Sequence, residues 1–141
     1  MQRGAILRFQ ARGASMSPFV KDGDILCIAP LTKHRAGTGR IVAFIAPGKQ
    51  SFTVHRIVAH TRGHYLIKGD NHGSSSDGWV PAASLLGVVR RIERNGVPIR
   101  LGLGFERYLI ALLSRRNWLL PLRRWLKKCP LYWGKRIDHE R

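Results

Sequence analysis

The stretch 52-FTVHRIVAHTRGHYLIK-68 decides the fold class. Two runs rich in β-branched and aromatic residues, 52–59 and 64–68, flank a turn at Arg62-Gly63, which is typical of two strands and the turn between them. Similar runs occur at 24–30, 40–46 and 86–93, and Asn95-Gly96 predicts a tight hairpin into 97–101. This spacing predicts a mainly β protein whose antiparallel strands form a barrel or a sandwich.

The character of the sequence changes after residue 104. Segment 105–128 is rich in Leu, Trp and Arg, and Pro121 interrupts any single long helix there. We therefore expect a β domain over 1–104 and a basic, amphipathic, α-helical extension over 105–141. Residues 105–128 either bind an anionic membrane surface as an interfacial segment or pack on the β domain with a basic face in solvent.

Charge is the unusual feature of the composition. The chain has 25 Lys and Arg against 8 Asp and Glu, a formal net charge of +17, which predicts attraction to nucleic acid or anionic lipid. No run approaches the roughly 20 apolar residues of a membrane-spanning helix, and the N-terminus lacks the apolar core of a secretory signal. We expect a peripheral, membrane-associated protein, with a cytoplasmic location as the alternative.

The candidate chemistry begins at 13-GASMSPFVKDGD-24. A serine such as Ser15 is a poor nucleophile at neutral pH unless a base lies within hydrogen-bond reach. His55, in the middle of a predicted strand, is a suitable base because histidine exchanges protons near neutral pH. The polar loop 69-GDNHGSSSDGW-79 offers Asp70 and Asp77, either of which can hold the imidazole in its useful tautomer.

Three boxes carry a family resemblance: Ser15-Met16-Ser17-Pro18 with Gly23-Asp24, then His55-Arg56-Ile57-Val58, then Gly69-Asp70-Asn71. In this order they resemble the boxes of type I signal peptidases, within the S24/S26-type serine peptidases that include self-cleaving repressors related to LexA. The resemblance covers about residues 13–93 and implies a signal-peptidase/LexA-like β fold. It implies that Ser15 is the nucleophile, and His55, where many relatives carry lysine, implies the Ser-His branch.

The resemblance also implies supporting roles in the loop from Gly69. Asp77 is expected to orient His55, and Ser75 falls at the position of a further supporting residue. Asp70 is expected to hold the loop, although it is also the rival candidate for orienting the histidine.

Around the serine, Gly13 stands where many bacterial relatives place a hydroxyl that stabilises the oxyanion. We therefore expect backbone N–H groups, chiefly that of Ser15, to fill this role. Met16, Pro18 and Phe19 are expected to help form a groove for an extended peptide with small residues before the cut.

The leading hypothesis is a serine endopeptidase that resembles signal peptidase I and cleaves signal- or leader-peptide-like segments of a peptide or preprotein. Relatives usually carry a spanning helix before the serine box, whereas 14 residues precede Ser15 here. We expect residues 105–128 or a membrane-anchored partner to provide the anchor. The alternatives are a cytoplasmic LexA-like self-cleaving regulator and a catalytically silent module that binds nucleic acid or membrane, nucleic acid being the less expected partner.

No cofactor and no metal is expected. His60 and His64 have the spacing of a metal-binding pair, but the turn at Arg62-Gly63 separates them. Cys27 and Cys129 form neither a disulfide framework nor a metal-ligand pattern, so they do not indicate a compartment.

Overall fold

The computed structural model describes residues 6–31, 36–71, 77–100 and 102–116. These residues form eight strands, one helix and, at Ala82–Ser84, a 3₁₀ turn. The strands are β1 Leu7–Gln10, β2 Ile25–Pro30, β3 Ile41–Ile45, β4 Phe52–Thr61, β5 His64–Lys68, β6 Gly78–Pro81, β7 Leu85–Arg94 and β8 Val97–Ile99, and the helix is α1 Glu106–Arg115. The prediction of a mainly β, antiparallel fold is confirmed.

One antiparallel sheet contains all eight strands. Its order is β1-β2-β7-β3-β4-β5-β6, with β8 added beside β7. Strand β7 is central, because β2 pairs along one edge while β3 and β8 share the other. The sheet is open in the described part of the chain, with β1 and β6 at its two ends.

Strand β3 explains how the sheet is buried on both faces. Successive side chains of a strand point to opposite faces, and Ile41 and Ala43 join one apolar cluster whereas Val42 and Phe44 join the other. All four side chains are buried. The sheet therefore curls around two apolar clusters instead of exposing one side to water.

Helix α1 packs on the β domain through Ile110, Ala111 and Ser114, all buried. Ile110 contacts Phe19 in a small apolar cluster. The buried Lys68 of β5 donates from Nζ to the Ser114 carbonyl at 2.8 Å, which satisfies an acceptor that the end of a helix leaves open.

The predicted division at residues 104 and 105 therefore separates two segments that are in contact. No helix among the described residues is long and apolar enough to cross a bilayer. Half of the basic segment 105–128, from residue 117 onward, lies outside the described residues.

Candidate active site

The loop between β1 and β2 carries Ser15 and is closed at its neck by main-chain hydrogen bonds. Ala11 N–H donates to the Asp24 carbonyl at 2.7 Å, and Gly23 N–H donates to the Ala11 carbonyl at 2.8 Å. The buried Asp24 carboxylate accepts from the Lys21 N–H and from the Arg94 guanidinium on β7. The Gly-Asp step after the serine box thus anchors the loop to the central strand.

His55 lies in β4 with its side chain almost fully buried, and its Nδ1 is hydrogen-bonded to the Asp77 carboxylate. Asp77 is fixed in turn, because its N–H donates to the Ile67 carbonyl at 2.9 Å. An Nδ1–H donated to a carboxylate leaves Nε2 as the basic nitrogen. This is the tautomer that a histidine base needs in order to take a proton from a serine hydroxyl.

The serine loop rests on the turn at residues 69–71, which leads toward Asp77. Asn71 N–H donates to the Ser15 carbonyl at 2.8 Å, and Asp70 N–H lies 3.4 Å from the Met16 sulfur. The first and third boxes of the sequence are therefore in direct main-chain contact. Ser75, predicted to support the histidine, lies outside the described residues.

Asp70 has a different partner from Asp77. Its carboxylate accepts from Nε and Nη2 of Arg56 at 2.9–3.1 Å, and both side chains are fully buried. Burial raises the pKa of the Asp70 carboxyl, against the opposing effect of the Arg56 guanidinium. Asp77 is thus hydrogen-bonded to His55, whereas Asp70 is paired with Arg56. The roles of His55 as a base and of Asp77 as its orienting group are predictions.

Arg56 is the residue of this site that sequence reasoning missed. Its Nη1 donates to the carbonyls of Gly39 and Gly102, and its guanidinium carbon lies 5.3 Å from the Phe19 ring centroid. Arginine in a strand is usually exposed, so the sequence around it favours a solvated side chain. The available signal was its place in an apolar strand beside a loop with carboxylates.

Next to Ser15 lies a cavity of about 350 Å³. One wall is the serine loop, with Gly13, Ser15 and Met16, and two others come from β1 and β4. The complete described lining is Phe9, Ala11, Arg12, Gly13, Ser15, Met16, Val20, Leu26, Phe52, Thr53 and Val54. Of the predicted groove residues, Met16 lines this cavity, whereas Pro18 and Phe19 are not among its described walls.

A family model of Peptidase S24-like proteins matches residues 3–95, which is more than half of the chain. The match includes Ser15, His55 and Asp77. The chain belongs to the Peptidase S24-like family. Neither a curated protein nor a solved structure matches the chain.

In the S24-like domain, the main-chain N–H of Ser15 is the candidate donor to an oxyanion. Ser15 N–H makes no hydrogen bond within the described residues, whereas Gly13 N–H donates to Asp22 Oδ1 at 2.8 Å. Gly13 has a φ of +84°, a backbone conformation that a serine or threonine adopts only with strain. The Ser15 N–H therefore remains the predicted oxyanion donor of this S24-like protein.

The two histidines weighed as a metal pair sit at the β4–β5 turn of the S24-like domain. His60 Nδ1 is hydrogen-bonded to Thr38 Oγ1 at 2.9 Å. Within the described residues no group of three His, Cys, Asp or Glu side chains gathers as a metal site.

Proposed function

We propose that this S24-like protein is a serine endopeptidase of the signal-peptidase type, with Ser15 as nucleophile, His55 as general base and Asp77 as the group that orients the imidazole. The observation that carries the proposal is the His55–Asp77 hydrogen bond beside the loop that holds Ser15. A buried histidine whose Nδ1 is held by a carboxylate is arranged for proton transfer at Nε2.

The proposed reaction has two halves. Ser15 Oγ attacks the carbonyl carbon of the scissile peptide bond while His55 Nε2 takes the hydroxyl proton. The C–N bond then breaks, and the imidazolium returns the proton to the leaving amine. Water, deprotonated by the same nitrogen, hydrolyses the acyl-enzyme and regenerates the serine. Ser15 N–H donates to the oxyanion in both halves.

Two unpaired strand edges support an extended peptide as the substrate. Strand β1 pairs only with β2, and the pairing of β4 with β5 begins at Arg56, so the outer edge of 52–54 is open in the described part of the chain. Both edges border the cavity beside Ser15. A peptide in extended conformation can add its main-chain hydrogen bonds to such edges.

We propose small side chains before the cut from the resemblance to signal peptidases, and the cavity beside Ser15 is the place where they would lie. Its walls next to the serine include Met16 and Val54, and the rings of Phe9 and Phe52 lie 4.7 Å apart at its β1–β4 side. We propose that alanine or glycine near the cut lies against these apolar walls. Signal- and leader-peptide-like segments of a preprotein have this character.

The test is hydrolysis of an internally quenched peptide with alanines before the cut, with and without detergent. We expect wild-type activity and losses of at least about a thousandfold for Ser15→Ala and His55→Ala. Ser51→Ala and His64→Ala, at exposed positions just before β4 and at the start of β5, are the matched controls and should keep the wild-type rate. Equal rates in all five proteins would remove the proposed dyad.

A second candidate is self-cleavage, as in the LexA-like repressors of this clan, and the family match favours it. The full chain would then cut itself at a rate independent of protein concentration, and Ser15→Ala would stay intact. Incubation over a range of concentrations, with mass spectrometry of the fragments, separates the two activities. Cleavage only of added peptide supports the leading proposal.

A further inference from the structure

Helix α1 has two apolar faces, and the β domain covers only one of them. Ile110, Ala111 and Ser114 face the sheet. The opposite side, here called the α1 outer face, consists of Phe105, Tyr108, Leu109 and Leu112, which are 89%, 51%, 58% and 47% exposed. A surface helix normally presents polar residues to water, so an apolar outer face indicates a second apolar partner.

Three arginines, here called the arginine trio, meet at the start of this helix. Val42 pairs with Val88 between β3 and β7, and the same register carried two residues further sets Arg40 opposite Arg90. Gly39 lies directly against Arg107, since a Cβ built on it would be 2.8 Å from Arg107 Cγ. The trio is therefore Arg40, which directly precedes β3, Arg90 of β7 and Arg107 of α1.

No carboxylate among the described residues pairs with any member of the trio. Burial, and then repulsion from Arg107 and Arg90, lower the pKa of the Arg40 guanidinium. Arg107 Nε is buried without a hydrogen-bond partner in the described part of the chain. Like charges opposite each other in a sheet are destabilising, so this arrangement suits an external anion that neutralises it.

The trio and the α1 outer face adjoin at Tyr108. Arg107 Nη2 donates to the Tyr108 hydroxyl at 3.0 Å, and its guanidinium carbon lies 4.6 Å from the Tyr108 ring centroid. Arg115 and Arg116 extend the positive charge at the other end of the helix. Apolar side chains flanked by arginines match the boundary between acyl chains and anionic head groups, where tyrosine is also favoured.

We propose that the α1 outer face and the arginine trio form a docking surface for an anionic lipid bilayer, with the apolar side chains entering the acyl boundary and the arginines binding lipid phosphates. Nucleic acid matches the arginines but leaves four large apolar side chains without a partner. A second copy of the chain brings the same positive charges face to face. This docking goes beyond the peptidase activity and is independent of it.

The test is cosedimentation of the full chain with sonicated vesicles of pure phosphatidylcholine and of phosphatidylcholine mixed with phosphatidylglycerol, at physiological salt. We expect binding to the anionic vesicles and little to the neutral ones. The double variant Leu109→Ser/Leu112→Ser should lower the partition coefficient at least about tenfold. Arg40→Gln and Arg90→Gln should each lower it about fivefold.

Matched controls carry the same changes at exposed sites elsewhere: Leu86→Ser/Val97→Ser for the apolar pair and Arg62→Gln/Arg100→Gln for charge. Circular dichroism reports whether each variant is folded. Ser15→Ala should bind vesicles as the wild type does, so the docking and the peptidase activity can fail separately. The proposal would be overturned if the α1 variants and the control variants lost the same amount of binding. It would also be overturned if the protein bound neutral vesicles as well as anionic ones, or bound a DNA duplex in place of vesicles.

Discussion

At the scale of single residues, His55 and Arg56 show how one strand serves two purposes. Successive strand side chains point in opposite directions, so His55 meets the Asp77 carboxylate while Arg56 is buried against Asp70. Each aspartate of the 69–79 loop therefore has its own side-chain partner in β4. We predict that the His55–Asp77 pair serves proton transfer, whereas the Arg56–Asp70 pair holds the loops together.

This division predicts opposite phenotypes for two isosteric substitutions. Asp77→Asn should lower kcat by about a hundredfold to ten-thousandfold with little change in stability, because the amide favours the wrong histidine tautomer. Asp70→Asn should lower the free energy of unfolding by about 3–5 kcal/mol, since it leaves the Arg56 charge buried without its counter-ion. Peptide hydrolysis and urea denaturation measure the two effects, and an exchange of the two phenotypes would contradict the assignment.

A pH-dependent contribution is predicted for the Asp24–Arg94 pair. Burial by itself would raise the pKa of Asp24, but the hydrogen bonds from Arg94 and the Lys21 N–H outweigh it and lower the pKa. Asp24 therefore has a lower pKa in the folded protein than in the unfolded chain. Its ionised carboxylate stabilises the fold fully at pH values above the unfolded-state pKa. This stabilisation is lost as the pH falls through the folded-state pKa. Asp24→Asn should thus cost about 2 kcal/mol at neutral pH.

Below about pH 4 the wild type loses this contribution as well. The difference in unfolding free energy between Asp24→Asn and the wild type should therefore shrink as the solution becomes acid. Denaturant titrations at neutral and acid pH make the comparison. A difference that stays constant with pH would show that the Asp24 charge contributes nothing.

The catalytic candidates could be predicted from the sequence because their chemistry is local to short boxes. The order of Ser15, His55 and the two aspartates restricts the choice to a few side chains. The residues alone left both Asp70 and Asp77 open, and only the family resemblance favoured Asp77, because the choice depends on which carboxylate of the loop faces the His55 side of β4. The burial of Arg56 also escaped, because its acceptors Gly39 and Gly102 are distant in sequence.

At the scale of elements, strands with continuous apolar runs were predicted and short edge strands were not. The hairpin at Asn95-Gly96 is confirmed, with both residues at positive φ as a tight two-residue turn requires. Strands β1 (LRFQ) and β6 (GWVP) were missed. Each is four residues long at an end of the sheet, where polar residues and proline are tolerated.

The docking of α1 on the sheet depends on the space at Gly39. Gly39→Ala would place a Cβ 2.8 Å from Arg107 Cγ and 2.9 Å from the Arg107 carbonyl oxygen, in addition to straining a φ of +91°. Gly48→Ala has similar strain, with a φ of +78°, but no atom within 4 Å. Both should lose about 1–2 kcal/mol from the backbone, and Gly39→Ala about 1–3 kcal/mol more from the clash.

Thermal denaturation of these two variants, followed by circular dichroism, gives the comparison. Gly48→Ala is the control for backbone strain, so the extra loss in Gly39→Ala measures the contact with α1. Equal melting temperatures would mean that the helix moves away at no cost. In that event α1 contributes little to the stability of the β domain.

At the scale of the whole molecule, the net charge of +17 predicts that like charges within the folded protein repel one another and destabilise it at low ionic strength. Salt shortens the range of this repulsion to about 10 Å at 0.1 M. The melting temperature should therefore rise between about 20 mM and 300 mM sodium chloride. Arg62→Glu/Arg100→Glu, at exposed positions, should flatten this dependence. A melting temperature that falls with salt in both proteins would show that the ion pairs outweigh the repulsion.

The contacts of the Arg56 guanidinium also indicate which truncated fragments of the chain we expect to fold. One of its acceptors, the Gly102 carbonyl, lies beyond residue 95, where the family match ends. A fragment trimmed to the family match would remove one of the three acceptors of this buried cation, leaving Asp70 and the Gly39 carbonyl. It would also uncover Phe19 and Lys68, which contact the helix. We therefore expect a fragment that ends at residue 95 to be less stable than one that extends through α1, so the helix belongs with the S24-like domain when the chain is divided.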